Sequence, residues 1–212
     1  MPRAKPLITA AGALLVLAFA SLTGYMQLTH TPNYDEFYHI LPAMNWNEGA
    51  GLDILDGHYY RAALFTRLVA ASLTAHQEIS FEAARVPSLV SGVLLIALLY
   101  YWITRQSTSL SGTIGAILLI MTPVFVYSVG QARFYTLHTV MIMVSAMLVY
   151  NRGKQPTLSA SYIVKLLVSL LILMIAMTLQ ETTLVVLLGL MIWVALDLRH
   201  FFFERSRKTQ MI

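Results

Sequence analysis

The chain has 212 residues and a formal charge of +4, and 58% of it is hydrophobic against only 11% charged. Soluble domains run nearer half apolar and roughly a quarter charged, so this chain has too little polar surface to coat a water-soluble globule, and lipid is its expected solvent. The lack of cysteine excludes a disulfide framework and thiolate metal sites, and no basic patch with interleaved aromatics points to nucleic acid.

The first apolar run covers residues 7–28, long enough to cross a hydrocarbon core of ~30 Å as a helix. Its basic start and Ala18-Phe19-Ala20 also fit a cleavable signal peptide. The run outlasts a typical signal core, however, so an uncleaved anchor is the better reading. The external loop 29–82 comes next, and loops this long are as a rule either functional or disordered. Tyr34, Phe37, Tyr38, Trp46, Tyr59, Tyr60 and Phe65 argue against disorder. Residues 33–47 predict a helix, with Asn33 as N-cap and Phe37, Ile40, Leu41 and Met44 at three-to-four spacing. A second helix is predicted over 60–75, with Leu64, Leu68 and Ala71 on one face, and Gly49, Gly51 and Gly57 punctuate the connection. Both helices are expected to lie along the membrane surface.

Five more apolar runs lie at 84–103, 110–129, 135–150, 162–179 and 182–198. Polar breaks at 104–109, 130–134, 151–161 and 180–181 separate them. Unpaired backbone groups are costly in lipid, so each run is expected to be helical, with Pro87 in the first turn of its helix. The expected fold is all-α: a polytopic bundle of about six transmembrane helices forming a module over 1–200, with a basic cytoplasmic tail at 201–212.

Charge orients this bundle. With the N-terminus cytoplasmic, Arg3, Lys5, Arg105, Arg152, Lys154, Lys165, Arg199, Arg205, Arg207 and Lys208 fall on one side. Only Arg61, Arg67, Arg85 and Arg133 fall on the other, together with most of the acids. The positive-inside rule then predicts a multi-pass plasma (inner) membrane protein with both termini cytoplasmic and the long loop external or periplasmic.

The sharpest local feature is Tyr34-Asp35-Glu36-Phe37-Tyr38-His39. On a helix, Asp35 and His39 share a face. A carboxylate at a low-dielectric boundary is pushed toward general-base values, and it could equally help hold a divalent cation. The plain alternative is acids in a first helical turn, complementing the macrodipole. In Gln131-Ala132-Arg133-Phe134-Tyr135, the arginine offers a fork of donors suited to phosphate, or an interfacial anchor. Arg85 reads the same way. His58, beside Tyr59 and Tyr60, belongs to no recognised metal-ligand pair.

The order of features resembles the N-terminal half of the GT-C glycosyltransferases, in the protein O-mannosyltransferase-like group that includes the lipid A aminoarabinose transferases. The resemblance is carried by Asp35-Glu36 after the anchor, Gly57-His58-Tyr59-Tyr60, Ala84-Arg85-Val86-Pro87-Ser88-Leu89, Thr122-Pro123 and Gln131-Ala132-Arg133-Phe134-Tyr135, over residues 34–150. It implies transfer of a sugar from a polyprenyl-phosphate donor to a lipid, glycan or protein acceptor at the outer face. Asp35 would be the catalytic carboxylate, and Glu36 would support it, directly or through a divalent ion. Arg85, Arg133 and Tyr135 would hold the donor phosphate, and His58 and Tyr59 would contact acceptor or metal. Gly57-His58 replaces the proline that the family often carries before the tyrosines. Family members also run to twice this length or more, so a C-terminal half or a partner subunit is expected to complete the donor site. The competing readings are a non-enzymatic membrane protein, such as a half-transporter or lipid-binding scaffold subunit, or an inactive truncated transferase. A transport pathway needs charges near mid-bilayer, whereas the charges here sit at the ends of the spans.

Overall fold

In the computed structural model, residues 4–54, 57–150 and 159–209 are described. They are almost wholly helical: α1 (Ala4–Leu28), a 3-10 turn (Tyr34–Glu36), α2 (Phe37–Asn47), α3 (Ala63–His76), α4 (Phe81–Gln106), α5 (Ser109–Ile120), α6 (Pro123–Val129), α7 (Tyr135–Val149), α8 (Ala160–Leu179) and α9 (Thr183–Thr209). The small hairpin of β1 (Asp53–Ile54) and β2 (Gly57–His58) is antiparallel, with Asp53 opposite His58. The chain divides into two compact units, Met1–Val140 and Met141–Ile212.

The loop helices form where their signals are. Asn33 has extended backbone, and its side chain accepts from the Asp35 N–H at 3.1 Å. The Glu36 carboxylate reaches back to accept from the Asn33 N–H at 2.8 Å. This reciprocal capping box starts the 3-10 turn that runs directly into α2. Gly49 and Gly51 take positive φ of 83° and 84° after α2, which a side chain would resist. Asn45 and Asn47 tie α2 to the hairpin and to α3, donating to the Asp53 carbonyl at 2.6 Å and the Ala70 carbonyl at 3.0 Å. α3 begins later than predicted, because Ala62 turns the chain left-handed at φ 52° and ψ 38°.

Helix α4 begins three residues ahead of the predicted run, capped by Ser80, whose hydroxyl accepts from the Ala83 N–H at 3.2 Å. Pro87 therefore lies beyond the first turn, a correction to the expected placement. Proline brings no N–H, so the Ala83 carbonyl four residues earlier loses its helical donor. The Ser72 hydroxyl of α3 supplies the missing bond at 2.7 Å. That contact satisfies the carbonyl that the proline leaves open and ties α3 to α4.

The run 110–129 is not one straight span. Thr122 is extended, as a residue before proline prefers, and Pro123 opens a new helix. α5 and α6 consequently bend by 72°. Glycines bring this bend close to its neighbours: a Cβ on Gly92 of α4 would meet Val129 at 2.5 Å, and one on Gly130 would meet Gln27 of α1 at 2.6 Å. Small residues of this kind let helices approach closely where lipid supplies no hydrophobic drive between them.

By length and composition, α4 and α8 can each cross a membrane, and the bent pair α5–α6 is a third candidate. Gly12–Leu28, Tyr135–Val149 and Thr183–Leu196 are shorter apolar stretches. The all-α class and a few membrane-long helices thus stand. In the second unit, Ser145 and Ser169 each donate to the other's carbonyl at 3.3 Å, joining the end of α7 to α8. Large apolar side chains such as Leu167, Leu171 and Met174 on α8 and Val185, Leu188 and Ile192 on α9 are exposed, as for surfaces meeting lipid. The predicted tail at 201–212 does not break away at its start, because α9 continues to Thr209. Residues 210–212, most of the 151–161 break with Arg152 and Lys154, and Arg3 lie outside the described residues.

Candidate functional site

Asp35 and Glu36 are neighbours in sequence, but the 3-10 turn sends their carboxylates to different partners. Glu36 is fully buried and forms a two-toothed bridge to Arg85, with Nε and Nη2 both donating at 2.8 Å. The Ala132 N–H at 2.7 Å and the Asn33 N–H at 2.8 Å complete the carboxylate's bonding. Arg85 uses Nη1 to cap the end of α1, donating to the Leu28 carbonyl at 2.5 Å and the His30 carbonyl at 2.7 Å. Burial alone would raise the Glu36 carboxyl; the bonds from Arg85, then those from Ala132 and Asn33, outweigh it and hold the group below its ordinary 4.5.

This corrects two expectations. Arg85 is only 1% exposed, its donors turned inward to Glu36 and the end of α1, so it presents no face to a donor phosphate. Glu36 has both oxygens committed and cannot support Asp35 through a cation. The pair knits α1, the loop and α4 together around one buried charge, a structural role.

Asp35 behaves differently. Its side chain is about half exposed and pairs with Arg133, which is 12% exposed. Arg133 is itself held by Tyr135, whose hydroxyl accepts from Nη2 and whose ring lies 4.8 Å under the guanidinium. Arg133 Nε is buried and bonds to nothing. The backbone at Arg133 is pinned by Ser88, whose hydroxyl donates to its carbonyl at 2.8 Å. Asp35 and Arg133 open on a cavity of about 270 Å³ that Tyr38, His39, Tyr59, Arg61 and Phe134 also line.

His39, predicted to share a face with Asp35, is buried in the wall of this cavity. Its ring meets Tyr59, Phe65 and Phe134 edge-on at 5.6, 5.2 and 5.7 Å, and Nδ1 lies 3.0 Å from the Thr66 hydroxyl. Burial first, and then the charges of Arg133 and Arg61, push its pKa down to about 3, so it is neutral at physiological pH. Burial pushes the Tyr59 phenol up, against the pull of Arg61 and Arg133.

Of the other predicted residues, Tyr59 reaches the cavity but His58 does not line it. His58 pairs across the hairpin with Asp53, and both are about half exposed. Among the described residues no group of three or more His, Asp or Glu is placed to hold a metal ion. Tyr135 serves Arg133 on one side and lines a second, apolar cavity of about 200 Å³ with Leu95, Val124, Phe125, Thr136 and Thr139. Arg61 is the residue that sequence reasoning passed over. It enters the site because Ala62 reverses the chain beside it, and its guanidinium stands 5.8 Å from the Phe134 ring. A cation directly after Tyr59-Tyr60 was the only available signal.

No family model, curated protein or solved structure matches this chain.

Proposed function

We propose that the chain is a membrane glycosyltransferase, or the N-terminal module of one, that moves a sugar from a polyprenyl-phosphate donor to an acceptor at the outer face. On this reading the six apolar runs form six spans with both termini cytoplasmic. The bent α5–α6 pair then counts as one of those spans, and the loop helices lie on the external or periplasmic surface. The observation that carries the proposal is the cavity itself. An accessible carboxylate, Asp35, sits there opposite a guanidinium, Arg133, in a wall built by residues outside the long apolar runs. The apolar cavity that meets the same Arg133 through Tyr135 suits the first units of a lipid tail.

The chemistry balances without further groups. Asp35 takes the proton from an acceptor hydroxyl, and the acceptor oxygen forms a bond to the anomeric carbon from the face opposite the phosphate. The bond from that carbon to the phosphate oxygen breaks, and the polyprenyl phosphate leaves with the electron pair. Arg133 and Arg61 stabilise the charge that gathers on it. In this scheme Arg133 has two partners in succession, Asp35 in the empty site and the phosphate in the occupied one. A divalent cation would have to be held by Asp35 with ligands from the substrate, because Glu36 is committed.

The test is transfer by purified chain in liposomes supplied with polyprenyl-phosphate sugars, with and without EDTA. Asp35→Asn is expected to lower turnover at least a hundredfold, in the range typical of a lost general base, while donor binding persists. Full activity of that variant would sink the mechanism. Binding without turnover by the unaltered chain would instead point to a lipid-binding scaffold subunit.

A further inference from the structure

His39 has a fixed orientation and one unused ring nitrogen. The Thr66 hydroxyl lies 3.4 Å from the Ala62 carbonyl, its natural acceptor one helical turn back. A hydroxyl that donates there keeps lone pairs to accept from His39 Nδ1, 3.0 Å away. A Thr66 hydroxyl that donates to Ala62 puts the ring proton on Nδ1 and leaves the lone pair on Nε2. Three rings fix the imidazole plane. His39 lines the cavity with Nδ1 engaged by Thr66, and Nε2 has no hydrogen-bond partner among the described residues.

A neutral nitrogen lone pair in a wall shared with two guanidiniums has a narrow use. It attracts no anion, and from an organic ligand it takes an O–H or N–H donor. The charged groups facing it are Arg133, Arg61 and Asp35. The guanidiniums are donors only, and Asp35 is engaged with Arg133. We propose that His39 is a specificity-determining residue that accepts a hydrogen bond from a ligand hydroxyl while Arg133 holds the same ligand's anionic group. The cavity thus selects molecules carrying a hydroxyl within a few ångströms of a phosphate, as a glycosyl phosphate does, over a bare phosphate ester. The choice of ligand class rests on the glycosyltransferase reading.

Two measurements test it in the full chain. Nitrogen-15 spectra of histidine-labelled protein, with His39 assigned by its loss in His39→Gln, are expected to show the Nδ1–H tautomer at neutral pH. An Nε2–H tautomer there overturns the proposal. Binding is measured with two probes, an isoprenyl phosphate and the same isoprenyl phosphate esterified to a hexose. His39→Phe fits the aromatic surround and removes the acceptor. It is expected to weaken the hexose ester about five- to tenfold, the effect of one net hydrogen bond, and to leave the isoprenyl phosphate within about twofold. His39→Gln restores an acceptor and is expected to recover part of the loss. Equal weakening of both probes, or of neither, overturns the proposal. Should His39→Phe not fold, His39→Gln and the spectra of the unaltered chain decide. The two readings fail separately: hydroxyl-selective binding without transfer sinks the enzyme, and transfer with hydroxyl-blind binding sinks the role of His39.

Discussion

Asp35 and Glu36 each meet an arginine, yet the two ion pairs do opposite things. Glu36 and Arg85 are sealed, doubly bonded to each other and completed by backbone groups from three further stretches of chain. Asp35 and Arg133 make one contact at the lip of a cavity, with half of the carboxylate in the open and a guanidinium nitrogen still unpartnered. Residue type does not separate them; environment does. A buried pair with every lone pair satisfied has no chemistry left to offer, whereas an exposed, incomplete pair can exchange partners.

The largest effect is expected from breaking the sealed pair on one side only. Arg85→Met leaves the Glu36 carboxylate buried without its counter-charge and should cost about 3–5 kcal/mol, read as loss of folded protein in a denaturation series. Glu36→Leu combined with Arg85→Met should recover much of that loss, because the double change removes both charges. If the single variant is as stable as the unaltered chain, the buried bridge does not hold α1, the loop and α4 together.

Acid should reveal the same contrast. Glu36 titrates below its ordinary 4.5 in the folded chain, so its contribution is complete above that value and lost as pH falls through the lowered one. His39 adds a loss that starts higher. The unfolded chain takes up its proton near 6.5, while the folded chain refuses it until about 3, so stability declines as pH drops across that interval. Glu36→Gln should flatten the lower part of the stability curve and His39→Phe the upper part.

Ser72→Ala tests the contact that compensates Pro87, leaving the Ala83 carbonyl without a donor; about 1–3 kcal/mol of destabilisation is expected. The smallest effect belongs to the open pair. Asp35→Asn should cost less stability than breaking the sealed pair, because its carboxylate is half in solvent, while the transfer proposed above should collapse. A large loss of stability would merge the two pairs into one structural feature and remove the contrast.

What was legible in the sequence was whatever local chemistry dictates. Asn33 announced a cap, Gly49 and Gly51 announced turns, and Asp35 with His39 four residues on announced a shared face. The Glu36–Arg85 bridge spans 49 positions, and although the spacing Asn33 to Glu36 is that of a capping box, nothing local points this carboxylate to Arg85. Only the 3-10 geometry of Tyr34–Glu36, which rotates the second carboxylate inward, separates the two. The run 110–129 reads as one span because apolar composition is blind to direction; Thr122-Pro123 stands out as a motif, and in the fold it is a bend. Arg61 stayed out of view because its entry depends on a left-handed alanine, a conformation that no propensity would assign.

That alanine illustrates how rigidity and stability can part company. Ala62 is wholly buried and sits at φ 52°, a backbone region that glycine occupies freely and other residues enter at about 1–2 kcal/mol. Glycine there would escape the strain, but would lose a buried methyl of about 0.8 kcal/mol and gain about 0.4–1 kcal/mol of unfolded-state freedom. The terms nearly cancel, so Ala62→Gly should melt where the unaltered chain does. The difference is in how many paths the backbone has: with alanine, the turn between Arg61 and α3 holds one shape, and with glycine it holds several. A melting curve would miss what this residue does, and hydrogen exchange at the Thr66 amide, bonded to the Ala62 carbonyl at 3.1 Å, would report it.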